Sequence, residues 1–149
     1  MKTTVQATPS NYRLKFMGIR VLVVDDSVTM RMVVQAAFLD VGWQVTTASN
    51  GKEALDLAQQ QHFDLVVSDL NMPVMHGLEF IGNMRQHSAN QDVPVLVLTT
   101  EDDDASKETA AELGVYAWVH KPVDPDTLVA LSQDLLDGLA AENSNGASE

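Results

Sequence analysis

The sequence predicts an α/β domain in which five strands alternate with five helices and form a mainly parallel sheet between two helical layers. Three observations predict it. Short β-branched apolar runs recur along the chain without polar alternation, as strands buried on both faces require. Between them the apolar residues return at the helical period, giving each helix one stripe to bury. Two of the runs also end directly on acids: Asp25-Asp26 after the first, Asp69 after the third. In an open parallel sheet the carboxyl ends of the strands are where ligands gather.

The first strand is Arg20-Val21-Leu22-Val23-Val24. A helix follows from Val28, with Met30, Val33, Val34, Ala37, Phe38 and Val41 as its inner residues, Ser27 as a cap and Gly42 as the stop. Gln44 to Ala48 is the second strand. Ser49 and Asn50 are cap candidates for a helix from Gly51 to about Gln60, with Ala54, Leu55, Leu57 and Ala58 inward. Leu65-Val66-Val67 is the third strand and leads to Asp69; Pro73 and Gly77 punctuate the loop beyond it. Gly77 to Gln86 is the third helix. Pro94 to Thr99 is the fourth strand, and Glu101 to Asp104 is a solvated acidic loop that opens a helix favourably against its dipole. That helix, Ala105 to Leu113, stops at Gly114. Tyr116 to Val119 is the fifth strand, ending in His120-Lys121-Pro122. Asp124 caps a last helix with Pro125 in its first position and Gly138 at its end. Residues 1–17 are an extension in which Tyr12, Leu14 and Phe16 alternate with polar residues. Residues 139–149 are expected to be a disordered tail.

Composition narrows the function classes. The 149 residues suit one domain, and an apolar fraction of 45% supports a real core. The absence of cysteine excludes disulfides and thiolate chemistry. A formal net charge of −12 argues against non-specific nucleic-acid binding. No apolar run approaches a membrane span, and Met1 to Lys15 lacks a signal-peptide core, so the expected location is the cytoplasm. The four histidines form no metal set.

Right-handed crossovers bring all five strand ends to one rim. Asp25, Asp26, Asp69, Thr99 and Lys121 meet there. Like carboxylates at close range disfavour one another's ionisation, so a divalent cation is the economical partner. Hard carboxylate oxygens suit Mg2+. A carboxylate beside a cation, a hydroxyl and an amine is equipped for phosphoryl transfer through an acyl phosphate.

In order along the chain, Asp25-Asp26-Ser27, Asp69 with Asn71-Met72-Pro73 and Gly77, Thr99, and Lys121-Pro122 resemble the receiver domains of two-component response regulators, closest to the chemotaxis regulators of the CheY type. The resemblance covers about residues 18–138. It implies a (βα)5 doubly wound sheet in the flavodoxin-like order 2-1-3-4-5. It implies Asp69 as phosphoacceptor, with Asp26, Asp69 and the backbone carbonyl of Asn71 as Mg2+ ligands and Asp25 acting mostly through bound water. Lys121 and Thr99 would contact the phosphoryl oxygens. Trp118 stands where the family usually has a Tyr or Phe that changes rotamer with Thr99, and the Lys121–Pro122 peptide is cis in the family. Asn71, Thr100 and Glu101 occupy positions that tune dephosphorylation; Thr100 is bulkier than the usual Ala or Gly, and Trp118 bulkier than the usual aromatic.

The function so implied is that of a phosphorylation-activated switch rather than an enzyme, with self-phosphorylation and autodephosphorylation as its only reactions. A histidine kinase would be the donor, docking near the acidic rim and the first helix. The target would bind the face of the fourth helix, fifth strand and fifth helix, the flagellar motor switch being a candidate, and a phosphatase could act on the same site. No nucleic-acid or membrane partner is expected; with no output domain expected after the last helix, the output would be a protein–protein contact or onward phosphotransfer, and a monomer or a phosphorylation-dependent dimer fits. The alternatives are a phosphorelay intermediate or phosphate sink, a phosphate-independent scaffold, and an Mg2+-dependent aspartyl-phosphate phosphatase. The phosphatase needs a general acid two residues after its nucleophile, where this chain has Asn71.

Overall fold

The computed structural model describes residues 18–148, with side chains described through residue 142. The predicted extension, with Tyr12, Leu14 and Phe16, lies outside the described residues. The strands are β1 (Arg20–Val24), β2 (Gln44–Ala48), β3 (Leu65–Ser68), β4 (Val95–Thr99) and β5 (Ala117–His120). The helices are α1 (Val28–Asp40), α2 (Gly51–Gln60), α3 (Gly77–His87), α4 (Asp104–Glu112) and α5 (Pro125–Ser148). All four strand pairings are parallel, in the order β2-β1-β3-β4-β5. The predicted doubly wound order is the observed one. The order reverses between β1 and β3, so the crevice at their carboxyl ends is the topological switch point.

Each strand alternates between two cores. In β1, Leu22 and Val24 face a cluster with Ala54, Phe63, Phe80, Ile81 and Met84; Val21 and Val23 face one with Val34, Phe38, Trp43, Leu128 and Leu135. This accounts for the lack of polar alternation: both faces are covered, so both sets of side chains are apolar. Phe38 and Trp43 stack at 5.1 Å between ring centroids, closing α1 onto the start of β2 across Gly42, whose φ of +87° suits glycine.

The caps follow sequence chemistry. Ser27 accepts from Met30 N–H and Asn50 from Glu53 N–H, while Glu53 reaches back to Ser49 N–H and its hydroxyl. His76 caps α3 by accepting Leu78 N–H on Nδ1, a role its sequence context did not announce.

Two readings are corrected. Val33 and Val41 are 42% and 45% exposed, outside the buried stripe of α1, which runs through Met30, Val34, Ala37 and Phe38. The stripe is narrower than the apolar content suggests. In addition, α5 does not stop at Gly138, and the predicted tail is helical to Ser148. An interior glycine costs a helix only about 1 kcal/mol relative to Ala, and Leu139, Ala140, Ala141 and Glu142 are strong helix formers that carry the helix past it.

Candidate functional site

Asp25 and Asp69 are fixed by ladder bonds that continue beyond the strands. Asp25 N–H donates to Ala48 O at 3.1 Å, and Asp69 N–H to Val24 O at 2.9 Å. The two acids therefore sit on neighbouring strand ends, 3% and 7% exposed, while Asp26 points to solvent. Gly77 makes this possible. A Cβ there would collide with the Asp69 carbonyl oxygen and lie 2.8 Å from Leu70 Cα, so α3 can start this close to the acid only on a glycine.

Lys121 comes from the end of β5, held there by its N–H to Thr99 O at 2.8 Å. Its Nζ donates to Asp25 Oδ2 at 2.7 Å and Asp69 Oδ2 at 3.0 Å. Burial works against its charge, but the hydrogen bonds and negative charge of Asp25 and Asp69 outweigh it and raise the Lys121 pKa above the usual lysine value. The remaining oxygens are also engaged: Asp25 Oδ1 accepts Ser27 N–H at 2.9 Å, and Asp69 Oδ1 accepts Leu70 N–H at 2.6 Å. The following peptide is cis, as the resemblance implied.

Carboxylate oxygens of Asp25, Asp26 and Asp69 lie within 4.8 Å of one another. One ammonium against three acids leaves the cluster negative, two of the acids being buried. Hard oxygen donors with excess negative charge suit a divalent cation such as Mg2+, so the residues present fit the expected metal. Asn71, whose carbonyl the resemblance adds to the ligand set, lies exposed two residues beyond Asp69.

Thr99 is fully buried at the end of β4, and Thr100 is exposed. Thr99 Oγ1 accepts Glu101 N–H at 3.2 Å, while Trp118 Nε1 donates to the Glu101 carbonyl at 3.2 Å. The predicted switch pair is therefore connected through the backbone of one residue, Glu101, a link the sequence reading missed. Trp118 is half-buried against the core on the α2–α3 side. The reading also missed Arg31, which donates to the Asp25 carbonyl at 2.6 Å and braces the acidic turn from α1. Its signal was its place in Thr29-Met30-Arg31, which follows the acidic strand end and shares in the resemblance to CheY-type regulators.

A doubly wound sheet with three acids and a lysine at its switch point defines a class of α/β domains whose charged crevice can hold a ligand. The sequence profile of the response regulator receiver domain matches residues 21–133, and the chain belongs to that family. A chemotaxis protein CheY homolog of Campylobacter jejuni is 35% identical over 132 residues, covering 87% of this chain and 99% of its own. The protein named "Probable transcriptional regulator ycf29" of Pyropia yezoensis is 31% identical over 120 residues, which are 80% of this chain and 54% of that one. The chain spans about half the length of such regulator relatives. Among solved structures, Vibrio cholerae chemotaxis protein CheY4 superposes with a TM-score of 0.74 at 41% identity, covering 78% of this chain and 98% of its own. No helix among the described residues is long and apolar enough to cross a membrane.

Proposed function

We propose that this receiver domain is a phosphorylation-activated switch in which Asp69 accepts a phosphoryl group from the phosphohistidine of a histidine kinase. The observation that carries the reading is the Lys121 ammonium bridging Asp69 and Asp25 at the switch point, beside Asp26. An Asp69 carboxylate oxygen attacks phosphorus, the P–N bond breaks, and the imidazole leaves as it takes up a proton. Asp25, Asp26, Asp69 and the Asn71 backbone carbonyl would hold Mg2+, which supplies positive charge to the phosphoryl oxygens. Lys121 transfers one of its hydrogen bonds from a carboxylate to a phosphoryl oxygen. Thr99 turns its hydroxyl from Glu101 N–H and donates to another. Glu101 N–H then loses its acceptor, and the disturbance reaches Trp118 through the carbonyl of the same residue. The face built by α4, β5 and α5 reads this out as a change in protein binding.

Asn71, Thr100 and Glu101 set the rate at which water removes the phosphoryl group; the domain has no other reaction. The Campylobacter and Vibrio relatives favour a chemotaxis partner. The relatives named as transcriptional regulators favour a second reading, in which the same switch acts on transcription.

The test is the intact mass after incubation with acetyl phosphate, with and without Mg2+, for wild type and Asp69→Asn. One Mg2+-dependent phosphoryl adduct, absent from the variant, is expected. Equal labelling of Asp69→Asn would remove Asp69 from the role, and catalytic release of phosphate from simple monoesters would replace the switch with a phosphatase.

A further inference from the structure

Lys107 is the single basic residue of α4, which opens on the acidic run Glu101 to Asp104. Its Nζ lies 2.6 Å from Asp102 Oδ1 and 5.9 Å from the centroid of the Trp118 ring. That distance is inside the range over which an ammonium is attracted to an indole face. The hydrogen bond to Asp102 first, and then the charges of Asp102, Asp104 and Asp103, outweigh desolvation and keep the ammonium protonated. Trp118 is thus held twice: by its own N–H on the Glu101 carbonyl and by the Lys107 cation over its face. Both holds come from one stretch, the β4–α4 loop and the first turn of α4. The Lys107 and Asp102 side chains are 41% and 67% exposed, so salt screens this second hold. Its strength suits a bias rather than a lock.

We propose that Lys107 is a positioning residue for Trp118. Its ammonium, anchored on Asp102, keeps the indole where it can donate to Glu101, and it sets how readily the ring repositions when Thr99 Oγ1 releases Glu101 N–H. The second half of this statement rests on the switch reading above; the first half stands on the contacts alone.

The test uses the full chain labelled with 5-fluorotryptophan and read by fluorine NMR. Trp43, buried against Phe38, is the internal reference. Rising NaCl should move the Trp118 signal and leave Trp43 in place. Lys107→Met should show the high-salt signal at low salt, with no further salt response, and Lys107→Arg should restore the wild-type behaviour. The ratio of the two ring positions should change about two- to fivefold between wild type and Lys107→Met, the size of an exposed cation–π contact. At matched phosphorylation, checked by intact mass, the Lys107→Met ring should shift further than wild type. A Trp118 signal that ignores salt, or is the same in wild type and Lys107→Met, overturns the positioning role. Failure to form the adduct overturns the phosphoacceptor reading and leaves the salt response as the measure of Lys107.

Discussion

The Lys121 ammonium donates to Asp69 Oδ2 at 3.0 Å while holding Asp25 Oδ2 at 2.7 Å, so one lysine bridges the acids of two adjacent strand ends. The cation arrives from β5 and the acids from β1 and β3, which makes the contact a product of the whole sheet order. Removing one partner of a buried ion pair leaves charge without compensation, at a cost of about 3 kcal/mol. Lys121→Met should therefore lose about 2–3 kcal/mol in urea unfolding with a chelator present, the lower figure reflecting the partial exposure of the lysine. Millimolar Mg2+ should restore more stability to the variant than to wild type. Equal gains would mean that the cation binds elsewhere.

The same pair fixes a pH dependence. Lys121 has a folded pKa above the usual 10.5, because its hydrogen bonds to Asp25 and Asp69 outweigh the burial that opposes its charge. A raised folded pKa contributes stability that is complete below the unfolded value and is lost as pH rises through the folded one. The stability gap between wild type and Lys121→Met should be level from neutral pH to near 10 and shrink above 10.5. Thermal unfolding of both proteins across that range checks it; a gap that shrinks towards neutral pH would contradict it.

Gly77→Ala tests how closely α3 must approach the acid. The added Cβ would meet the Asp69 carbonyl oxygen and Leu70 Cα, both backbone, so the helix must shift. A loss of about 3 kcal/mol in chemical unfolding is expected, as for overpacking against atoms that cannot yield. Phosphorylation by acetyl phosphate should slow even where the variant is folded, because Asp69 is displaced. An unchanged rate would separate the glycine from the site.

Asn90 supplies the matching control at the opposite end of the sheet. It is 1% exposed; its Oδ1 accepts Phe63 N–H at 2.8 Å, and its Nδ2 donates to Ala58 O at 2.7 Å and Gln61 O at 2.9 Å. Asn90→Ala leaves buried backbone groups without partners, at about 1–3 kcal/mol for each that water cannot reach. A total loss of about 3 kcal/mol is expected, with the phosphorylation rate of the folded protein unchanged. Slowed phosphorylation would show that the two ends of the sheet are coupled.

The strand–helix alternation was legible because most strands are short apolar runs and several helices start on a recognisable cap, such as Ser27, Asn50 or Asp124. The rim was legible because parallel topology brings together residues that share nothing in sequence but their place at a strand end: Asp25, Asp69, Thr99 and Lys121. What could not be read is what depends on side-chain reach. Trp118 bonding a backbone carbonyl, Lys107 over its ring and Arg31 folding back onto Asp25 are set by rotamers and packing, which periodicity does not encode. The end of α5 was misread because a glycine stop is a local preference, and the alanine-rich residues after Gly138 outweigh it.

In the proposed switch the phosphoryl group rides on Asp69. The most direct measurement is to treat the phosphorylated protein with borohydride, which reduces an acyl phosphate to the alcohol, and to locate the resulting homoserine by tandem mass spectrometry. Homoserine is expected at position 69 alone, in the presence of Mg2+. Homoserine at position 25 or 26, or a phosphoryl group that resists borohydride on a different kind of residue, would contradict it.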